Sequence, residues 1–117
     1  AKSFAAEAGV EDRFVYHAGD AFKSARELAG PWDIIFCDID KADYPRAIDY
    51  AESTLRPGGV LLYDNILRHG MVALPDGDHD RETTAILETT RRLYADSRWA
   101  TSILPMRDGV LMAYRRE

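Results

Sequence analysis

The sequence predicts an α/β domain with a mostly parallel sheet and an antiparallel C-terminal hairpin. Three observations carry the prediction. Short apolar runs alternate with segments of helical periodicity. Two of these runs, Ile34-Ile35-Phe36-Cys37 and Val60-Leu61-Leu62-Tyr63, are continuous, as in strands covered on both faces. The last two runs flank a turn signal, Asp108-Gly109, and read as a hairpin.

Taken in order, Ala1 to Ala8 has helical composition, with Phe4, Ala5 and Ala8 on one face and Gly9 as a C-cap. No capping residue precedes it, so the helix reads as cut rather than started. Arg13 to His17 is rich in β-branched and aromatic residues and predicts a strand. Asp20 is placed to cap a helix whose apolar face is Phe22, Ala25, Leu28 and Ala29, and Gly30-Pro31 stops it. The strand ending at Cys37 follows. Asp43 then reads as an N-cap, with Pro45 tolerated in the first turn. Tyr44, Ile48, Ala51 and Leu55 recur on one helical face, and Pro57-Gly58-Gly59 ends that helix. The strand Val60 to Tyr63 comes next. A loop from Arg68 to Asp80 is long for a connector, as substrate loops often are. Asp80 caps a helix to about Ala95, with Ile86, Leu87, Thr90, Leu93 and Tyr94 on its inner face. Trp99 to Leu104 and Val110 to Arg115 form the closing hairpin. The order α, β, α, β, α, β, α, β, β fits one domain over residues 1–117.

Composition narrows the function classes. A formal charge of −5 gives no basis for binding nucleic acid or an anionic membrane surface. No apolar stretch approaches a membrane span. The single cysteine, Cys37, cannot form an internal disulfide or a cysteine-rich zinc site. Its apolar context makes it a small core residue, and a reducing cytoplasm is the expected setting. His17, His69 and His79 lack metal-motif spacing and read as surface or loop residues, whereas Tyr63 and Trp99 read as core.

Chemistry concentrates where two strands end. One exits into Asp38-Ile39-Asp40-Lys41 and the other into Asp64-Asn65. Ligands of open α/β sheets bind at the carboxyl ends of strands. If the two strands are parallel neighbours, Asp38, Asp64 and Asn65 converge, and three hard oxygen donors suit Mg²⁺ or Ca²⁺ rather than Zn²⁺. A single aspartate there is better explained by capping; the combined pattern favours a site. Lys41 is either a solvated lysine or one ion-paired with Asp43, or else a base whose pKa a neighbouring cation would lower. Asp20 follows an earlier strand at the same edge, where it could cap a helix, accept from an adenine amino group, or do both.

These residues resemble the cation-dependent O-methyltransferases that use S-adenosylmethionine, the caffeoyl-CoA and catechol group. Asp38-Ile39-Asp40-Lys41 matches that family's Asp-X-Asp-Lys after the fourth strand. Leu55-Arg56-Pro57-Gly58-Gly59 matches its Leu-X-Pro-Gly-Gly turn, Asp64-Asn65 its Asp-Asn at the end of the fifth strand, and Leu104-Pro105-Met106-Arg107-Asp108-Gly109 its Leu-Pro-X-X-Asp-Gly. Each motif alone is weak; the four in order are specific and run over nearly all of the chain. The resemblance implies a Rossmann-like methyltransferase sheet and S-adenosylmethionine as methyl donor. It implies a divalent cation (Mg²⁺ first, then Ca²⁺ or Mn²⁺) on Asp38, Asp64 and Asn65. Asp38 and Asp40 would lie near the donor and Asp20-Ala21 near its adenine. Lys41 would be the general base or would orient the acceptor hydroxyl. The reaction implied is direct displacement onto a hydroxyl of a small catechol-like or other vicinal-diol aromatic.

Two departures shape the expectations. Arg68 stands where the family usually carries a tryptophan on its substrate loop, which favours an anionic acceptor met by Arg68. The family's first strand, glycine-rich cofactor loop and the acid after its second strand have no counterpart here. In the family's sheet order of three, two, one, four, five, seven, six, this chain would carry strands three to seven. The edge of the strand ending at Cys37 would then be open and apolar. The chain is therefore expected to be a portion of a longer enzyme, a fragment that homodimerises, or a sheet rearranged around the strand at Arg13–His17. The rival function is a non-catalytic module that self-associates or binds a partner through that edge. Another nucleotide-dependent enzyme is disfavoured because no glycine-rich dinucleotide loop is present.

Overall fold

The computed structural model describes residues 1–75 and 77–116. Its elements are α1 (Lys2–Glu7), α2 (Ala21–Arg26), β1 (Trp32–Cys37), α3 (Tyr44–Thr54), β2 (Leu55–Tyr63), α4 (Arg81–Ala95), β3 (Trp99–Leu104) and β4 (Val110–Arg115), with short 3-10 turns at Glu11–Arg13, Lys41–Asp43 and Arg68–Ala73. The sheet order is β1-β2-β4-β3. β1 and β2 are parallel, and β4 runs antiparallel to both β2 and β3. β1, β2 and β3 therefore share one direction, and the C-terminal pair is the predicted hairpin. The order matches the four, five, seven, six portion of the expected methyltransferase sheet.

The pairing register explains the core. Leu61 and Tyr63 of β2 face the same side as Ala113 and Leu111 of β4, and all four are fully buried. α3 lays Tyr44, Ala47, Ile48 and Ala51 on that face, and α4 adds Ile86 and Leu93. The periodic stripe read from the sequence is thus the buried stripe of α3. In α4 it lies slightly differently. Thr83, Ala85, Ile86, Thr89 and Leu93 are buried, whereas Tyr94, expected inside, is exposed. Tyr94 follows Leu93 by one residue and so lies about 100° further around the helix, beyond the packed face. Asp80 caps α4 as expected, accepting from the Thr83 N–H at 2.7 Å.

Three expectations are corrected. Arg13 to His17 is not a strand: a 3-10 turn ends at Arg13, and the following residues join no ladder. Phe14 is extended, with φ −110° and ψ 133°, and its ring stacks on Tyr16 at 5.7 Å. β-propensity extends the backbone there, but a strand needs a neighbour for its N–H and C=O groups, and none lies alongside. The continuous apolar runs of β1 and β2 are covered on one face only. Ile34 and Phe36 pair with Val60 and Leu62 on the opposite face from the helices, and they remain 62% and 58% exposed. β2 also begins earlier than expected: Leu55 already pairs with Trp32, and an irregularity between Trp32 and Ile34 absorbs the Pro57-Gly58-Gly59 segment. No helix among the described residues is long and apolar enough to cross a membrane.

Candidate functional site at the strand ends

The parallel register sets the two acidic motifs side by side. Cys37 is the partner of Tyr63, and the Asp64 N–H donates to the Cys37 carbonyl at 3.2 Å. Asp38 and Asp64 are therefore the first residues beyond the last rung, at the carboxyl ends of neighbouring strands. A buried tyrosine ties them together. The Tyr44 hydroxyl donates to the Asp64 carbonyl at 2.7 Å, and its ring lies 5.0 Å from the Lys41 ammonium. Tyr63 packs on Tyr44 at 4.8 Å between centroids and donates to its carbonyl at 3.1 Å. Burial pushes the Tyr44 phenol up to about 12, and the Tyr63 phenol higher still, so both remain protonated donors at neutral pH.

Lys41 donates to Asp38 Oδ1 at 2.8 Å, with the Asp38 side chain half exposed. Pairs this exposed contribute roughly 0.2–1 kcal/mol, so the contact matters more for where it holds the ammonium than for stability. Burial works to lower the Lys41 pKa, but hydrogen bonds with Asp38 and Tyr44 outweigh it and the pKa is raised. That is the opposite direction from the one expected beside a cation. Asp64 Oδ1 accepts from the Asn65 N–H at 2.8 Å, and Asn65 adopts φ 52°, a left-handed conformation that asparagine tolerates.

The donor chemistry fits a hard divalent cation. Two carboxylates and one carboxamide follow the last rung of neighbouring strands, and in each carboxylate the bond to Lys41 or Asn65 engages only Oδ1. Among the described residues no three His, Cys, Asp or Glu side chains form a metal-holding group; the set here is two acids and an amide, which suits an ion that keeps part of its water shell.

The remaining expected residues divide between two neighbourhoods. Asp20 caps α2, accepting from the Lys23 N–H at 2.9 Å, and that hydrogen bond holds its carboxyl below the usual range. Ala21 lines a small apolar hollow with Phe22, Ala25, Ile35, Cys37 and Ile39, which places the Asp20-Ala21 turn beside the exit of β1. Asp40 caps the turn that begins at Lys41, accepting from the Ala42 N–H at 3.0 Å, and borders a groove with Asp80, Arg81 and Glu82. Arg68, expected to meet the acceptor, is drawn to that same end of α4. Its guanidinium bridges Asp80 at 3.0 Å and Glu82 at 2.5 Å.

A cleft of about 740 Å³ opens beside Asp64 and Asn65, walled by Leu67, His69, Val72, Arg107 and Asp108 among others. Two loops build it and are sewn together. The Ile66 N–H donates to the Gly109 carbonyl, the Leu67 N–H to the Asp108 carbonyl, and the His69 N–H to Asp108 Oδ1 at 2.6 Å. Gly109 has φ +78°, and a Cβ there would meet Leu67 Cγ at 2.5 Å, so only glycine lets the loops approach this closely. Sequence reading gave His69 no role and gave Arg107 and Asp108 only a place in a turn motif. The available signal was that motif's position in the chain, which closes a hairpin at the same edge as Asp64.

Comparison with known proteins agrees with the fold. A family model described as O-methyltransferase matches residues 1–116. The probable caffeoyl-CoA O-methyltransferase 2 of Dictyostelium discoideum is 32% identical over 117 residues, covering 96% of this chain and 51% of that protein. Caffeoyl-CoA O-methyltransferase 2 of Zea mays is 32% identical over 120 residues, covering 93% and 46%. Among solved structures, the O-methyltransferase TomG of Streptomyces achromogenes in complex with SAM superposes with a TM-score of 0.90 at 28% identity, covering 99% of this chain and 56% of that one. The O-methyltransferase of Bacillus cereus in complex with SAH gives 0.88 at 27%, covering 98% and 56%. The chain spans about half the length of the relatives it matches.

Proposed function

The chain belongs to the O-methyltransferase family, and from that premise we propose that it supplies the acceptor and cation side of a methyl-transfer site. The donor is S-adenosylmethionine, and the acceptor is a hydroxyl of a catechol-like or other vicinal-diol aromatic. The observation that carries the reading is the register of β1 against β2, which sets the Asp38–Lys41 motif beside Asp64-Asn65 at one sheet edge.

Asp38, Asp64 and Asn65 would hold the divalent cation, Mg²⁺ first. When bound, such an ion supplies Lewis acidity that lowers the pKa of a nearby hydroxyl and a template that fixes two neighbouring oxygens. The chain's own residues do the rest. Lys41, held by Asp38 over the Tyr44 ring with its pKa raised, orients the reacting hydroxyl as an ammonium, and acts as a base only after losing its own proton. Tyr44 keeps the two strand ends in fixed relation. Asp20-Ala21 and Asp38-Ile39-Asp40 flank the place of the donor. In the reaction the O–CH₃ bond forms as the S–CH₃ bond breaks, the S–C bonding pair returns to sulfur, and the hydroxyl proton leaves to solvent, or to Lys41 once that side chain is neutral. Positioning supplies most of the acceleration.

Titration with Mg²⁺, followed by amide chemical shifts, is expected to move Asp38, Asp64 and Asn65 first, and Asp64→Ala is expected to weaken binding at least about tenfold. Shifts confined elsewhere, or catechol methylation that survives both EDTA and Asp64→Ala, would remove the cation assignment.

A second reading rests on the open β1 edge with exposed Ile34 and Phe36. It makes the chain a non-catalytic module that pairs with a second copy of itself. A folded monomer that binds S-adenosylmethionine would exclude it.

A further inference from the structure

One wall of the cleft beside Asp64 and Asn65 comes from a short turn, Arg68–Ala73, which contributes His69, Gly70, Val72 and Ala73. On one side this turn and the residues before it are tied to the closing hairpin by backbone donors. Ile66 and Leu67 donate to the carbonyls of Gly109 and Asp108, and His69 donates to Asp108 Oδ1. On the other side the tie is a single side chain. The Arg68 guanidinium crosses to the start of α4 and bridges Asp80 and Glu82 through Nη2. Among the described residues no other hydrogen bond or ion pair joins the turn to α4.

Surface ion pairs usually contribute little, because water screens them and two long side chains must be ordered. This one differs in the burial of its cation. The Arg68 side chain is 27% exposed, whereas Arg46, Arg56, Arg92 and Arg98, which also pair with acids, range from 38% to 57%. Arg68 Nε is closed off from solvent with no acceptor among the described residues. A buried donor left unpaired is a cost, so the two carboxylates hold the side chain in this pose against that cost.

The start of α4 stands between two parts of the site. Asp40 and Ala42, which flank Lys41, border one groove with Asp80, Arg81 and Glu82. Arg68 reaches Asp80 and Glu82 from the cleft side. The helix start is itself fixed, because Asp80 caps it through the Thr83 N–H. A turn clamped there has a set position relative to the Lys41 turn; a turn tied only to the hairpin does not.

We infer that Arg68 is a positioning residue: it clamps the loop wall of the cleft to the start of α4 and so holds that wall at a fixed distance from the Lys41 turn. That the wall faces an acceptor rests on the methyl-transfer reading above; the clamp itself does not. Arg68 thus acts on the acceptor through the wall it holds rather than by contact.

Amide hydrogen exchange tests the clamp on the chain itself. Arg68→Gln is expected to speed exchange at Gly70 and Leu74 about tenfold and to leave β2 and β4 within about twofold. Arg68→Lys, which keeps the charge without the planar fork, should recover part of the protection. Glu82→Gln leaves the Asp80 cap in place and should loosen the same amides by a smaller factor, even if Arg68→Gln fails to fold. In the double change the two effects should not add. An unchanged wall in Arg68→Gln or in Glu82→Gln, or a uniform rise across the sheet, overturns the inference. Catechol binding in the presence of Mg²⁺ is expected to weaken about threefold in Arg68→Gln and to recover in Arg68→Lys. Equal binding beside a loosened wall overturns the positioning role. If the unaltered chain binds no catechol, the acceptor reading falls, and exchange alone decides the clamp.

Discussion

Tyr44 joins two functions in one side chain. Its ring is core, fully buried against Tyr63, and its hydroxyl is the pin between the two acidic strand ends. Helical spacing identifies it as an inward residue, but nothing in the spacing says that its hydroxyl reaches the Asp64 carbonyl. Cys37, one rung before Asp38, shows the converse. Its apolar context marks it as a small core residue, and it is buried with its thiol pushed up to about 11 by burial. A raised pKa keeps the thiol protonated up to that value, so little thiolate exists at pH 8. Ellman's reagent at pH 8 is expected to leave Cys37 unmodified in the folded chain and to label it fully in denaturant. Rapid labelling without denaturant would show that the exit of β1 opens readily. Arg68 and Arg107 mark the limit of sequence reading at this scale. Both are loop arginines near the site, and only the fold shows that one bridges Asp80 and Glu82 while the other lines the cleft.

Among the elements, α4 depends most on a single residue at its start. Asp80 caps it through Thr83 and pairs with Arg68, and those hydrogen bonds, Thr83 first and Arg68 after, hold its carboxyl down at about 2. The sign follows from the depressed value. The stabilisation is fully present above the ordinary aspartate pKa and is lost as pH falls towards 2. Asp80→Ala is expected to lower the thermal midpoint by several degrees at pH 7 and by little at pH 2, measured by circular dichroism. An equal loss at both values would show that the cap acts without its charge. The elements most legible in the sequence were those whose partners lie within the chain. The α3 stripe, the cap of α4 and the closing hairpin were all readable from local pattern. The segment Arg13–His17 was not, because residue preference extends a backbone but only a neighbouring strand completes it.

At the scale of the molecule, the Cα radius of gyration is 15.4 Å, against about 13 Å for a compact chain of this length. The excess reflects α1 and the unpaired stretch after it, which add little to the core. The sheet itself has one face packed under α3 and α4 and one face open, where Ile34, Phe36 and Tyr114 are exposed. An open apolar face next to an unpaired edge promotes association. Sedimentation is expected to show a molecular mass that rises with concentration, and the double change Ile34→Glu with Phe36→Glu is expected to return it to 13.2 kDa. A wild-type chain that stays monomeric throughout would mean that the edge is protected. The strand order was legible once the motifs had been matched in sequence. The open face was not, because a continuous apolar run records that a strand is meant to be covered, without recording by what.

The sheet also carries an order in time. β4 follows every other element in the chain, yet it lies between β2 and β3 and hydrogen-bonds to both. During synthesis the other elements emerge first, and β2 and β3 have no ladder between them until residues 110–115 arrive. The hairpin loop that carries Arg107 and Asp108 is drawn against Ile66 and Leu67 in that same step. Closure of the sheet and assembly of the cleft are therefore a single late event. A ribosome that stalls before Val110 would hold a chain with most of its secondary structure and neither a closed sheet nor a finished cleft.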